Sequence, residues 1–174
     1  WMMADCERAW DLKWIGLRYF NVAGAGWPDL ADDAIMNLIP MVLDRIERGD
    51  SAKIFGDDYD TEDGTCVRDY IHVLDLAEAH IAALDVLAEG RQPDHHTYNV
   101  GTGLGTSVRE IIDGLRRVIG WEFPVEVLQR RAGDPPTLIG DPLSIGVDLG
   151  WKANNGVEEI LASAWEGWQA GPRP

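Results

Sequence analysis

The sequence predicts an α/β fold, because short apolar stretches typical of strands alternate with longer stretches whose apolar residues repeat at helical spacing. Of the 174 residues, 45% are hydrophobic and 26% are charged, which is the balance of a globular protein that buries a sizeable core. Glycine-rich turns separate the stretches, and no internal repeat, low-complexity tract or clear linker interrupts them. We therefore treat residues 1–174 as one unit with some parallel strand pairing.

The first half of the chain contains two amphipathic helical patterns and two strands. The first helix places Met2, Cys6 and Trp10 on one face, and Asp32 or Asp33 caps the second helix. In order, we predict a helix at 2–10, a buried strand at 14–20, a glycine-rich loop at 21–26, a helix whose apolar face runs from Ile35 to Ile46, and a strand at 52–55.

In the second half, two capping boxes mark the starts of helices. Asp75 with Glu78 forms the first, and Ser107 with Glu110 forms the second, whose helix ends at Gly120. The apolar stripe of the earlier helix contains Leu76, His80, Ala83, Leu84 and Leu87. The other predictions are an acidic loop at 57–64, strands at 67–73, 97–100 and 125–128, and a last helix with an apolar face between Val157 and Trp168.

The charge balance excludes two classes of partner. Thirty acidic residues against 15 basic ones give a formal net charge of −15, which disfavours nucleic acid and anionic membranes. No apolar run approaches the roughly 20 residues of a spanning helix, and the acidic start does not resemble a signal peptide. Since Cys6 and Cys66 are too few for a disulfide framework, we expect a cytoplasmic protein.

Three patterns resemble ligand-binding motifs without completing them. The glycines at 101, 103 and 105 lack the last glycine of a dinucleotide fingerprint, because position 106 is Thr, so we interpret them as a turn. The loop from Asp57 to Gly64 misplaces the glycine of a calcium loop. The four histidines show no metal-ligand spacing, so we expect no metal site and place His80 in the core.

Arginine side chains lie in or just after two predicted strands. Arg68 is in the strand at 67–73, and Arg130 and Arg131 follow the strand at 125–128, with Asp134 close behind. A planar guanidinium binds phosphate through two hydrogen bonds, so this arrangement suits a pyrophosphate. Taken alone, however, these residues are better explained as ordinary ion pairs.

Seven stretches in a fixed order change that interpretation. Together they resemble the C-terminal half of the UDP-glucose 4-epimerases, within the extended short-chain dehydrogenase/reductase family, and the run from 55 to 77 is the most specific part. The resemblance implies the C-terminal part of a Rossmann-like NAD(P)-binding fold, mostly the substrate-binding subdomain with the last Rossmann elements. The stretches are LRYFN (17–21), NLIP (37–40), IFGDDYDTEDGT (54–65), VRDYIHVLDLA (67–77), YNVGTG (98–103), RRAGD (130–134) and LGW (149–151).

The resemblance also implies an activity. Such an enzyme binds NAD on an N-terminal Rossmann domain, removes a hydride from C4 of a UDP-hexose and returns it to the other face of the 4-keto sugar. This chain would grip the UDP, because binding energy belongs on the part of the substrate that does not react. The first helix would join a dimer-forming bundle, which implies a homodimer.

By the same resemblance, four side chains would hold the diphosphate region. Asn21 and Asn37 would hydrogen-bond the diphosphate and the sugar. Arg68 would clamp the pyrophosphate, and Arg131 would contact phosphate or ribose. Tyr19, in the strand before Asn21, would lie beside the nicotinamide of NAD.

The nucleoside end would be bordered by Lys53 and Phe55, with Phe55 presenting its ring to the uracil, while Asp134 would accept hydrogen bonds from the ribose. Two departures from the family leave the identity of the sugar open. The segment at 21–37 lacks the usual proline after Asn21, is short and carries the bulky Trp27. Leu138 occupies a position near the sugar where the family varies.

The family's catalytic base is a Tyr whose pKa is lowered by a Lys four residues later. This sequence contains neither Tyr-x-x-x-Lys nor G-x-x-G-x-x-G. By resemblance both motifs lie upstream of Trp1, so we assign no catalytic residue and expect this polypeptide alone to be inactive. Two alternatives stay open: another nucleotide-sugar enzyme of the family, such as a UDP-pentose 4-epimerase or a dehydratase, and a non-catalytic nucleotide-sugar-binding module.

Overall fold

A computed structural model of the chain describes residues 1–32, 34–91 and 95–171. In these residues helices and strands alternate, which confirms the predicted α/β class. The helices are α1 (Met2–Trp10), α2 (Leu38–Glu47), α3 (Val73–Ala88), α4 (Val108–Ile119), α5 (Leu143–Leu149) and α6 (Val157–Ala170). The strands are β1 (Gly16–Tyr19), β2 (Asn21–Ala23), β3 (Ala52–Phe55), β4 (Val67–Arg68), β5 (Tyr70–His72), β6 (Thr97–Val100), β7 (Thr106–Ser107), β8 (Val125–Leu128) and β9 (Thr137–Leu138).

The strands pair in small, mostly parallel sheets. β1 pairs with β6, β2 with β5 and β3 with β8, all in parallel, while β4 lies between antiparallel β7 and parallel β9. Parallel strands end at the same edge of a sheet. The register Phe55↔Leu128 therefore brings the residues that follow β8 next to the end of β3.

The larger core lies between α2, β3, α4 and α6. Its α4 helix forms as predicted, because Ser107 and Glu110 make a reciprocal capping box and Gly120 ends the helix in the left-handed conformation. The fully buried aliphatic side chains of this core include Val42, Leu43, Ile54, Ile111, Leu115 and Ile160.

A second core lies between α3, β6 and α5. The Trp151 indole N–H closes it by donating to the backbone oxygen of Asp75 at 3.0 Å. The Asp75 carboxylate is itself fully buried and accepts hydrogen bonds from the backbone N–H groups of Asn154 and Asn155. Asp75 was predicted only to begin a helix. These hydrogen bonds, which the sequence did not predict, also fix the turn before α6.

The start of α2 differs from the prediction. Asn37 is the N-cap residue, so Ile35 precedes the helix and is exposed. Asp32 forms a local turn instead, because its carboxylate accepts from the N–H of Ala34 and from the side-chain amide of Asn37. The alternative cap, Asp33, lies outside the described residues.

The segment from 67 to 88 also differs. The predicted strand is broken at Asp69, and α3 begins two residues before Asp75, with the His72 ring accepting from the N–H of Leu74 as the N-cap. The buried positions of α3 are Asp75, Ala79, Ala83 and Val86. His80 is therefore exposed, and its placement in the core was wrong.

The first strand is less buried than predicted, and β2 occupies part of the predicted glycine-rich loop. β1 pairs only with β6 among the described strands, and two of its four residues are exposed. The Asn21–Ala23 segment forms β2 because it finds a partner in β5, a tertiary contact that local glycine content does not reveal.

Candidate functional site

A cavity of about 190 Å³ opens between α2, β3, β4 and the segment after β8. It gathers six of the seven residues predicted to bind substrate, which are Asn21, Lys53, Phe55, Arg68, Arg131 and Asp134. The seventh, Asn37, lines an adjoining cavity of about 180 Å³. The two cavities share four lining residues, Asn21, Met36, Leu38 and Tyr70, so all seven predicted residues line adjoining cavities.

Strand β3 positions one wall of the cavity. Side chains alternate along a strand, so Ala52 and Ile54 are buried in the core while Lys53 and Phe55 face the cavity. The Arg131 guanidinium lies 3.9 Å from the centroid of the Phe55 ring, a cation–π arrangement. Arg131 therefore covers one face of the Phe55 ring.

Arg68 is held at the end of β4 with its side chain 13% exposed. Its Nη1 donates to the carbonyl oxygens of Val67 and Pro135, both at 2.9 Å. Its Nη2 lies 3.7 Å from the Asp134 carboxylate. Since a guanidinium has five N–H donors, this anchoring leaves donors for an anion in the cavity.

The cavity is locally cationic although the chain carries a net charge of −15. Four cationic side chains and one carboxylate line it: Arg45, Lys53, Arg68, Arg131 and Asp134. Arg45 is paired with Asp50 at 3.7 Å, as Arg68 is with Asp134. Within the described ranges, neither Lys53 nor Arg131 has a carboxylate within 4.0 Å, so two positive charges are uncompensated.

Arg130 lies outside the cavity and braces the acidic loop. It forms an ion pair with Asp58 and stacks over the Tyr59 ring at 4.3 Å. The hydrogen bond from the Arg130 side chain lowers the pKa of the Asp58 carboxyl. The structure thus places Arg131, the arginine that the resemblance assigns to the ligand, at the cavity and leaves Arg130 outside it.

In the acidic loop, the Asp63 carboxylate also accepts hydrogen bonds from within the protein. Asp63 accepts from the backbone N–H and the hydroxyl of Thr65 and from the Ser107 hydroxyl. In residues 1–32, 34–91 and 95–171, no cluster of three or more His, Cys, Asp and Glu side chains is arranged to hold a metal ion.

Tyr70 and Arg45 line the cavity but were not predicted. Burial raises the pKa of Tyr70 to about 12, so its phenol stays protonated at neutral pH. Tyr70 follows Arg68 by two residues in an extended segment, and Arg45 follows Met41 by four residues on α2. The spacing of two from the predicted residue Arg68 is the sequence signal that points to Tyr70. Met41 was not predicted as a site residue, so no such signal points to Arg45.

The histidines make structural contacts away from the cavity. The His72 Nδ1 accepts from Leu74, so its Nε2 carries the proton and donates to the Ser163 hydroxyl at 3.0 Å, and burial lowers the His72 pKa. His95 bonds Asp148 at 2.8 Å, and His96 stacks on Trp14.

Tyr19 lies apart from the cavity, at the carboxyl end of β1. Its hydroxyl is 2.8 Å from His80 Nε2, and the side chain is half exposed. Leu138 pairs with Arg68 in the β4–β9 register and is also half exposed. The cavity and the predicted cofactor contact are thus separate surfaces.

Comparison with known proteins identifies relatives of this arrangement. Residues 1–101 match the NAD dependent epimerase/dehydratase family. The UDP-glucose 4-epimerase of Rhizobium leguminosarum bv. trifolii is 41% identical over 97% of this chain and 52% of its own length. The chain therefore spans about half the length of the curated relatives it matches.

Two solved structures have the same fold. The Brucella ovis UDP-glucose 4-epimerase in complex with NAD superposes with a TM-score of 0.87 at 42% identity, over 94% of this chain and 51% of that protein. The Bifidobacterium longum enzyme in complex with NAD+ and UDP gives a TM-score of 0.80 at 34% identity, over 97% and 51%. The fold is thus the predicted part of a Rossmann-like extended short-chain dehydrogenase/reductase.

The family match extends over more than half of the chain. This chain therefore belongs to the NAD-dependent epimerase/dehydratase family. Among the described helices, none has the length and apolar content needed to cross a membrane.

Proposed function

We propose that this chain is the UDP-sugar-binding part of a UDP-glucose 4-epimerase, which interconverts UDP-glucose and UDP-galactose with NAD as cofactor. The observation that carries the proposal is the cationic cavity that gathers six of the seven predicted binding residues. The names of the similar proteins support it, since the Bifidobacterium longum relative was solved with UDP.

The charge of the cavity matches that of the proposed ligand. The diphosphate of a UDP-sugar carries two negative charges, and the cavity has two uncompensated cations, Lys53 and Arg131. Arg68 adds a partly buried guanidinium that can bind a phosphate oxygen through two N–H groups. An acidic chain that concentrates cations at one cavity selects an anionic ligand there.

The remaining side chains suit the nucleoside. Phe55 offers a ring face to the uracil, and uracil would replace the Arg131 guanidinium that now covers it. Arg131 would then turn towards the phosphates or the ribose. Asp134, 39% exposed at its side chain, can accept hydrogen bonds from ribose hydroxyls.

NAD would supply the hydride acceptor for C4 of the sugar. The residues of this chain fit only the edge of that cofactor, because Tyr19 is exposed at the carboxyl end of a parallel strand, where dinucleotides bind in such folds. The sequence has no glycine-rich dinucleotide fingerprint and no Tyr-x-x-x-Lys base. The proton transfer and most NAD contacts are therefore assigned to other residues of the intact protein.

The homodimer and the cytoplasmic location are further proposals. None of the nine residues of α1, all of which the structure describes, is buried, and Trp1, Met2 and Trp10 are strongly exposed. Such a helix is suited to pack against a second copy. Both cysteines are free thiols, which is typical of a reducing compartment.

A coupled epimerase assay tests the proposal. The intact protein should convert UDP-galactose to UDP-glucose in the presence of NAD, while the 174-residue chain alone should show no turnover. A panel including UDP-pentoses and UDP-N-acetylhexosamines identifies the preferred sugar. UDP binding by an intact protein that turns over none of these substrates would favour the non-catalytic binding module.

A further inference from the structure

Asp69 is a buried carboxylate beside the proposed phosphate-binding residues. It lies in the break between β4 and β5 and is 1% exposed. Its Oδ1 accepts from the backbone N–H of Thr102 at 2.8 Å and from the Thr102 hydroxyl at 2.7 Å. Its Oδ2 accepts from the N–H groups of Gly103 at 3.0 Å and Gly140 at 3.1 Å.

These bonds confirm that the glycine-rich segment at 101–105 is a turn and show what holds it. The N–H groups of Thr102 and Gly103 point at Asp69 and not at an external phosphate. A Cβ on Gly101 would lie 2.5 Å from the Asp69 carboxylate, so glycine is required there by close approach.

The backbone of Asp69 extends the same network to both sides. Its carbonyl oxygen accepts from the N–H of Asn21 at 2.9 Å, and its own N–H donates to the carbonyl of Leu138 at 3.2 Å. One residue therefore joins the start of β2, the end of β4, the turn at 101–103 and the segment after β9. Two of the residues so joined, Asn21 and the adjacent Arg68, line the cavity.

We infer that Asp69 is a positioning residue, whose buried hydrogen bonds hold Arg68 and Asn21 in the geometry that binds the diphosphate. This inference rests on the proposed function. Asp69 does not line the cavity, so it would act through these neighbours and not by contact with the ligand. A fixed guanidinium loses less side-chain entropy when it binds, which strengthens the contact.

Asp69→Asn is the sharpest variant, because it keeps the shape and replaces one acceptor oxygen by an N–H₂ group. On the Oδ2 side this group would face the N–H groups of Gly103 and Gly140, which both need an acceptor. The turn and the β4–β5 break are then expected to shift, and Arg68 with them.

Asp75→Asn is the matched control. Asp75 is equally buried at 0% exposure and accepts from Asn154 and Asn155 at 2.9 to 3.1 Å, but neither of these partners lines the cavity. Both variants should lower the melting temperature. A merely structural role of Asp69 predicts that the two have the same effect on nucleotide affinity.

The test is the Kd for UDP of the intact protein, measured by calorimetry well below both melting temperatures. We expect Asp69→Asn to weaken binding about tenfold, the size of one charged hydrogen bond, and Asp75→Asn to leave it unchanged. In an Arg68→Ala background the Asp69→Asn effect should shrink, because coupled residues are not additive. Equal Kd values for the two variants, or full additivity with Arg68→Ala, would overturn the inference.

Thr102→Val provides a milder variant should Asp69→Asn not fold. It removes one of the four hydrogen bonds and is expected to weaken UDP binding about threefold, and an unchanged Kd counts against the inference. The proposed function fails separately, because in that case the wild-type protein itself would not bind UDP.

Discussion

The core around the cavity and the outer surface, which comprises the exposed apolar side chains of α1 and of α3, belong to one small α/β unit but differ in solvent exposure. In the core, Leu43 and Ile160 are at most 1% exposed. On the outer surface, Ile81 and Leu84 of α3 are 58% and 64% exposed. The part that carries the proposed nucleotide site is thus internally packed, whereas the described residues leave apolar side chains of the outer surface uncovered.

The largest expected effect of this difference concerns the behaviour of the 174-residue chain expressed alone. Exposed apolar side chains on α1 and α3 should make it marginally stable or prone to aggregate. Light scattering should show aggregates, and Ile81→Lys with Leu84→Lys should reduce them. A monomer that unfolds in one sharp, reversible transition would show that the outer surface needs no cover.

A pair of leucine variants sharpens the comparison at single residues. Leu43→Ala in the core should lower the free energy of unfolding by about 3 kcal/mol, because it leaves a cavity in close-packed surroundings. Leu84→Ala on the outer surface should change it by less than about 0.5 kcal/mol. Urea denaturation of the 174-residue chain at low protein concentration measures both, because other residues are expected to cover α3 in the intact protein. Equal losses would contradict the assignment of the two environments.

A pair of glycine variants tests the backbone next to the cavity. Gly64 and Gly49 have φ values of 78° and 77°, but a Cβ on Gly64 would lie 2.0 Å from the Asp57 carbonyl oxygen, and one on Gly49 would meet nothing within 4 Å. Gly49→Ala should cost about 1 kcal/mol, and Gly64→Ala about 2 kcal/mol more. Thermal melting compares them, and equal costs would mean that the acidic loop adapts without strain.

The smallest effect is a pH dependence at His72. Burial lowers its pKa below the usual 6.5, so the unfolded chain binds the proton more readily than the folded one. The stability that neutral His72 contributes is complete above pH 6.5 and is lost as the pH falls below it. The melting temperature of His72→Asn should therefore fall less between pH 7.5 and pH 5.5 than that of the wild-type protein, and an identical fall would exclude His72 as the cause.

Where local signals were sufficient, the sequence predicted the structure well. The Ser107–Glu110 capping box and Gly120 define α4 without tertiary information. By contrast, α3 is apolar on several faces, so periodicity could not show that Ala79 and Val86 face the core while Leu84 does not. The N-cap role of His72 depends on its packing against Ser163 from a distant helix.

The candidate site shows the same division. The order of the motifs selected seven residues as ligand contacts, and six of them line one cavity. Their roles in binding remain predictions. Arg45 and the buried Asp69 network were missed, because each depends on which segments the fold brings together. The resemblance selected Arg131 over Arg130, and the structure shows that the two stack on different rings.

Calorimetric titration of UDP into the intact protein tests the central claim most directly. Arg68→Ala combined with Arg131→Ala should weaken binding about 100-fold, since each guanidinium contributes a charge-assisted contact. Arg117→Ala, an exposed arginine on α4, is the control and should bind like the wild-type protein. No UDP binding by the wild-type protein, or undiminished binding by the double variant, would contradict the account.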